Sequence, residues 1–201
     1  MLLGKSMSAD RPTIIKKMAF FDRDGIINVN HGYVYKIADV EFVPDIFDLM
    51  RHVQALGYEI VVVTNQSGIA RGLYSEAEFL KLTQWLNTQF IKQGVSVKHT
   101  YYCPHHPTVG STALTQECDC RKPAIGMLRQ ASEDFRVDLS HSIMFGDKAS
   151  DMQCAINAGL RAGYWLYNEE DRGQQFSLLS AHSNGTVLYQ INSLAECIHL
   201  I

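Results

Sequence analysis

Met18-Ala19-Phe20-Phe21-Asp22-Arg23-Asp24-Gly25 carries the decision about the fold. The first four residues are an apolar run of the length and composition of a buried strand. The chain then presents two carboxylates in succession, and Gly25 permits a tight turn after them. In open α/β sheets the carboxyl ends of the strands line the ligand crevice, so Asp22 and Asp24 are expected to face a site. Aspartate and glycine are also ordinary turn residues. The motif therefore gains its meaning from its partners later in the chain.

Glu59-Ile60-Val61-Val62-Val63 is almost wholly apolar and β-branched, as a central parallel strand should be. It ends in Thr64-Asn65-Gln66-Ser67-Gly68. The segment between the two strands begins with a loop over 26–44, too long for a simple connection and bearing Asn28, Asn30, His31 and Tyr33. A helix is expected from about Asp45, with Ile46, Leu49, Met50, Val53 and Leu56 on one face and Gly57 as its stop. Ser75-Glu76-Ala77-Glu78 is a capping box opening a second helix that carries Phe79, Leu82, Leu86 and Phe90. Val95 to Tyr102 reads as a third strand, and 124–135 as a helix. Ser142-Ile143-Met144-Phe145 is a fourth strand that ends at Gly146-Asp147. A short helix over 150–158, closed by Gly159, precedes a strand near 163–166. From Asn168 the chain is more polar, with a strand expected at 186–189 and a short terminal helix. This alternation predicts an α/β, Rossmann-like parallel sheet with helices on both faces and no large cap domain.

A chain of 201 residues that is 46% hydrophobic can bury one sizeable core. The expected organisation is a disordered lead over 1–17 and a single domain over 18–201. A net charge of -3 gives no sign of a nucleic-acid surface. No apolar stretch is long enough to cross a bilayer, and the lead lacks the apolar core of a secretory signal. Five cysteines, an odd count, argue against a complete disulfide framework and for a reduced cytoplasmic setting. Cys154 and Cys197 stand in apolar surroundings and read as small buried hydrophobes. A monomer is expected, with a small phosphate compound as its partner rather than nucleic acid or membrane.

Three of the strands end in groups suited to one reaction: Asp22 and Asp24, then Thr64, then Asp147. Lys122, just before the helix at 124, completes a set for phosphoryl transfer. A carboxylate can attack phosphorus and form an aspartyl phosphate, which splits hydrolysis into two easier steps. Two anions approach each other in that step, so Mg²⁺ held by one or two carboxylates is expected to supply charge. A lysine and a hydroxyl then hold the oxygens of the moving group. A second acid protonates the leaving alcohol and later activates water. Each residue also has a bland reading, as a turn cap, a solvated cation or a helix-start acid. Their order at successive strand ends is what argues for chemistry.

A second constellation is Cys103-Pro104-His105, twelve intervening residues, then Cys118-Asp119-Cys120. Three thiols and an imidazole in two close pairs suit tetrahedral Zn²⁺ with no open position, hence a structural ion. His106 is a second imidazole, but the one-residue spacing of the partner pair favours His105. The zinc would pin the loop 103–122, which otherwise lacks apolar content and delivers Arg121 and Lys122.

Asp22-Arg23-Asp24-Gly25, Val63-Thr64-Asn65, Arg121-Lys122-Pro123 and Gly146-Asp147-Lys148-Ala149-Ser150-Asp151 resemble the four motifs of the haloacid dehalogenase (HAD) superfamily of phosphatases, over about 19–162. The resemblance implies Asp22 as nucleophile and Asp24 as general acid/base. It implies Thr64 and Lys122 as holders of the phosphoryl group. Asp147 would bind Mg²⁺ beside Asp22 and the backbone carbonyl of Asp24, with Asp151 in support. Ile26 stands where the superfamily often has threonine, a hydroxyl with no chemical part. The zinc loop, together with Asn30-His31-Gly32-Tyr33-Val34 and Thr64 to Gly72, is similar to the family of heptose 1,7-bisphosphate phosphatases. That similarity implies substrate contacts from Asn30, His31, Gly32 and Tyr33, from Thr64, Asn65, Gln66 and Ser67, and from Arg121, Lys122 and Lys148. Asn30 replaces the aspartate usual there. The alternatives are a histidinol-phosphate phosphatase, which shares the zinc loop, and a non-catalytic zinc-structured protein that holds a phospho-ligand.

Overall fold

The computed structural model describes residues 16–110, 113–167 and 185–201. Six strands form one sheet: β1 (Lys17–Phe21), β2 (Tyr58–Asn65), β3 (Val97–Cys103), β4 (Ile143–Gly146), β5 (Ala162–Leu166) and β6 (Val187–Ile191). Their order is β3-β2-β1-β4-β5-β6, and every pairing is parallel. The order reverses beside β1, because β2 and β4 flank it on opposite sides. That switch point is where open α/β sheets place ligands, and Asp22 sits directly on it.

Among the described residues, four α-helices lie between strands, α1 (Ile46–Ala55), α2 (Glu76–Lys92), α3 (Gly126–Phe135) and α4 (Ala149–Asn157), and α5 (Leu194–Leu200) follows the last strand. Alternate residues of β1 divide between two cores. Ala19 and Phe21 join α1, α2 and α5 on one face, whereas Met18 and Phe20 join α3 and α4 residues on the other. Strands buried on both faces must be apolar at every position, and Ile60 to Val63 of β2 are all fully or nearly fully buried. Phe21, Phe145, Tyr164 and Tyr189 stack in a row across β1, β4, β5 and β6 with centroids 4.5–5.1 Å apart, which fixes lateral register as well as burying area.

The expected capping box opens α2: the Ser75 hydroxyl accepts from Glu78 N, and the Glu78 carboxylate accepts from Ser75 N. Cys154 and Cys197 are buried among apolar side chains, as expected. Two expectations shift. Leu56 lies beyond the last turn of α1 and is 40% exposed, because the helix ends at Ala55 and Gly57 turns the chain at φ 84°. Lys16 and Lys17, assigned to the disordered lead, are ordered: Lys17 pairs with Tyr58 in the sheet and Lys16 bridges to Val137. The rest of that lead, and most of the polar segment after Asn168, lie outside the described residues. Among the described residues, no helix is long and apolar enough to cross a membrane.

Candidate active site

The carboxyl ends of β1, β2 and β4 and the start of α4 converge on a cavity of about 360 Å³. Asp22 is at the floor, buried, with its backbone N–H donating to the Phe145 carbonyl at 2.9 Å. The Lys122 ammonium donates to Asp22 Oδ1 at 2.8 Å, to Asp151 Oδ1 at 2.7 Å and to the Val63 carbonyl at 2.8 Å. All three of its protons are thereby directed, so the charge is held at a fixed point. Asn65 clamps the same residue by its backbone, accepting from Lys122 N and donating to Lys122 O, both at 3.1 Å. The end of β2 therefore positions a lysine that is 57 residues away in sequence.

Asp22, Asp147 and Asp151 offer carboxylate oxygens within 4.8 Å of one another. Gly25 makes that possible: its φ is 99°, and a Cβ there would fall 2.1 Å from Asp147 Oδ2. A Cβ at Gly146 would likewise meet the Asp151 side chain at 2.3 Å. Burial, reinforced by the neighbouring acids, pushes the Asp147 carboxyl up to about 8. Burial also pushes Asp22 up to about 6, although the Lys122 ammonium opposes it. For Lys122 burial works against the charge, but Asp151 and Asp22 overcome it and raise its pKa. Three clustered acids against one buried lysine, which pairs with Asp22 and Asp151, leave an excess of negative charge. A hard divalent cation with oxygen ligands, such as Mg²⁺, fits that excess and that donor set.

Asp24 lines the cavity on the other side of the turn and is held by its neighbours. Arg23 Nη2 donates to both of its oxygens at 2.7–2.8 Å, and Asn28 Nδ2 donates to Oδ1 at 3.1 Å. Gln66 Nε2 reaches Oδ2 at 3.0 Å from the end of β2. The same Arg23 nitrogen donates to the Val34 carbonyl at 2.8 Å, tying the acid to the loop that carries Asn30 and Tyr33.

The cavity wall gathers most of the residues expected from sequence: Asn30, Gly32, Tyr33, Thr64, Asn65, Gln66, Ser67, Arg121, Lys122 and Lys148. His31 is placed elsewhere. It faces Glu41 at 3.1 Å across an adjoining shallow hollow and is half exposed. Arg121 Nη1 reaches the His105 carbonyl at 3.3 Å, one of its five donors. Sequence reasoning passed over Tyr74 and Ser150, which also line the cavity. Ser150 was legible as part of the Gly146–Asp151 motif; Tyr74, in a glycine-rich turn, had no local signal.

Cys103, His105, Cys118 and Cys120 form the second cluster. Cys103 Sγ is 3.5 Å from Cys118 Sγ, Cys120 Sγ is 3.3 Å from Cys118 Sγ, and His105 Nδ1 is 3.7 and 3.3 Å from the sulfurs of Cys103 and Cys120. A tetrahedron of Zn–S bonds near 2.3 Å has edges of about 3.5–3.8 Å, so the four ligand atoms stand close to the zinc arrangement. His106 stands outside it: its Nδ1 faces the N–H groups of Thr108 and Val109, and its Nε2 lies 2.9 Å from Arg71 Nη2.

A parallel sheet whose switch point gathers Asp22, Asp24, Asp151 and Lys122 around one cavity is the arrangement of an HAD-like hydrolase, and the HAD-hydrolase-like family model matches residues 119–176. Among curated proteins, the D-glycero-beta-D-manno-heptose-1,7-bisphosphate 7-phosphatase of Vibrio cholerae is 48% identical over 145 residues, 72% of this chain and 78% of its own. The protein of the same name from Escherichia coli K12 is 48% identical over 141 residues, 70% of this chain and 74% of its own. A solved D,D-heptose 1,7-bisphosphate phosphatase from B. bronchiseptica, complexed with magnesium and phosphate, superposes with a TM-score of 0.74 at 28% identity, covering 92% of this chain and 97% of that one. The chain belongs to the heptose bisphosphate phosphatase family of HAD-like hydrolases, and its class is that of the phosphoric monoester hydrolases.

Proposed function

We propose that this chain is a magnesium-dependent phosphatase that removes the C7 phosphate of D-glycero-D-manno-heptose 1,7-bisphosphate through an aspartyl phosphate. It would serve heptose supply for lipopolysaccharide core or a related GDP-heptose glycan, as a cytoplasmic monomer. The observation that carries the reading is the meeting of Asp22, Lys122 and Asp151 at one cavity whose wall also bears Arg121. The five free thiols suit a reduced compartment.

In the first step an Asp22 oxygen attacks phosphorus, and the bond from phosphorus to the C7 oxygen breaks. Asp24, as the acid, gives its proton to that oxygen. In the second step Asp24, now a carboxylate, takes a proton from water, which attacks the phosphorus of the aspartyl phosphate and frees Asp22. Lys122, its proton on Asp22 Oδ1 turning to the phosphoryl group as Asp22 attacks, and the Thr64 hydroxyl would hold the phosphoryl oxygens. Asp22, Asp147 and the Asp24 carbonyl, with Asp151 in support, would hold Mg²⁺, which neutralises charge between the two approaching anions. Asn30, Gly32, Tyr33, Asn65, Ser67 and Lys148, which line the cavity, would contact the sugar phosphate. Cys103, His105, Cys118 and Cys120 would hold a structural Zn²⁺.

Lys122 serves the reacting phosphate, which leaves Arg121 to grip the remote one. Guanidinium can bond phosphate oxygens in bidentate fashion. Arg121→Ala should cut kcat/KM for the bisphosphate by about 2–4 kcal/mol, as for loss of a charged hydrogen-bonded partner. Hydrolysis of p-nitrophenyl phosphate should barely change; an equal loss on both would remove Arg121 from that role. The substrate reading itself is tested by steady-state rates with both heptose 1,7-bisphosphate anomers and histidinol phosphate. The heptose compounds should have the higher kcat/KM, and a preference for histidinol phosphate would overturn it.

A further inference from the structure

Gln66 is 1% exposed although it borders the cavity, and its amide is consumed inside the protein. Nε2 donates to Asp24 Oδ2 at 3.0 Å and to Thr64 Oγ1 at 2.8 Å. An amide nitrogen has two protons, so none remains for a substrate. Oε1 accepts from the Tyr74 hydroxyl at 2.6 Å. In its carboxylate form Asp24 only accepts, so the end of the amide facing it is the NH₂ in that form.

We propose that Gln66 and Tyr74 are positioning residues that fix the Asp24 carboxyl for proton transfer, rather than substrate contacts. Of the side chains that donate to Asp24 among the described residues, Arg23 and Asn28 belong to its own turn and only Gln66 comes from another strand. Gln66 therefore sets the carboxyl against β2, the strand that also carries Thr64. The Thr64 oxygen accepts from the same amide, which leaves its hydroxyl proton to point at an acceptor in the cavity. Tyr74 holds the far end of the amide from a buried position. Burial pushes its phenol up to about 12, so it remains a donor throughout the working range. Gly68 gives it room, since a Cβ there would lie 2.2 Å from the Tyr74 ring. Tyr74 also stacks on Tyr35 at 5.1 Å and 11°, next to the residue whose carbonyl binds Arg23. The acid is thus braced both from β2 and from the loop after β1.

This proposal rests on Asp24 being the proton donor, and its test separates the two claims. A 2,4-dinitrophenolate leaves without a proton, whereas an alkoxide or phenolate needs one. Rapid mixing with 2,4-dinitrophenyl phosphate and with phenyl phosphate reads alcohol release in the first turnover, before water attack matters. Asp24→Asn should slow the phenyl ester far more than the dinitrophenyl ester. Gln66→Leu should show the same bias, with about 10–100-fold excess loss on the phenyl ester, part of the 10²–10⁴ that acid–base catalysis contributes. Tyr74→Phe, which removes one oxygen and keeps the ring, should show about a 5-fold bias, the worth of one hydrogen bond. Any loss through Thr64 falls on both esters and cancels in the ratio. If Asp24→Asn shows no bias, the assignment of the acid fails. If it does while Gln66→Leu and Tyr74→Phe slow both esters equally, the positioning role is overturned and the assignment stands.

Discussion

Asp22→Asn is expected to lower kcat by more than about 10⁴-fold, in the range found when a catalytic nucleophile is removed. Asparagine keeps the shape of the side chain but its amide cannot displace an alkoxide from phosphorus. The fold should survive. Asp22 is buried beside two further acids, and burial raises its pKa from 3.8 to about 6. A raised carboxylate pKa means that the native state binds protons more readily than the unfolded chain. Ionised Asp22 therefore costs stability in the metal-free protein, and the cost is complete above about pH 6. Removing its charge leaves the Lys122–Asp151 pair at 2.7 Å in place. Thermal unfolding at pH 7 without added Mg²⁺ should show a Tm no lower than that of the wild type, together with lost turnover. Asp22→Asn protein with wild-type activity would contradict the covalent mechanism.

The second large effect concerns the thiolate cluster. Protein purified without added metal should hold about one Zn²⁺ per chain. Binding energies of structural zinc sites reach about 10–16 kcal/mol in small peptides, so a ligand is expected to matter more than an ordinary contact. Cys118 and Cys120 lie just ahead of Arg121 and Lys122, and Gly126 at the start of α3 packs on the Asp119 carbonyl with its N–H donating to it at 2.8 Å. Cys118→Ser should lower Tm and activity together, because a loosened loop no longer presents Lys122 to Asp22. Excess Zn²⁺ should not substitute for Mg²⁺ in turnover. Protein without bound metal, or full stability after the substitution, would remove zinc from the account.

Much of the fold was legible because parallel strands buried on both faces must be apolar throughout, and Glu59–Val63 and Ser142–Phe145 announce that directly. The acids of the site were legible for a related reason: each follows a strand, so chain order alone carries them to the same edge of the sheet. Sequence could not show what depends on side-chain direction between distant segments. Gln66 reads as one polar residue in a loop motif, and only the fold shows both ends of its amide engaged with Asp24, Thr64 and Tyr74. His31 sits within a motif that faces the cavity, yet the turn at Gly32 and Tyr33, both at positive φ, sends it toward Glu41. Arg23 lies between the two acids without a sequence signal of its own, and the structure buries it at 1% exposure as the tie between Asp24 and Val34.

The most direct test of the account asks whether phosphate passes through Asp22. Protein turning over heptose 1,7-bisphosphate with Mg²⁺ would be quenched and reduced with borohydride, which converts an aspartyl phosphate to homoserine, and then mapped by peptide mass spectrometry. Homoserine should appear at position 22, and only when both substrate and Mg²⁺ are present. Modification at any other residue, or rapid turnover with position 22 never trapped, would contradict the account.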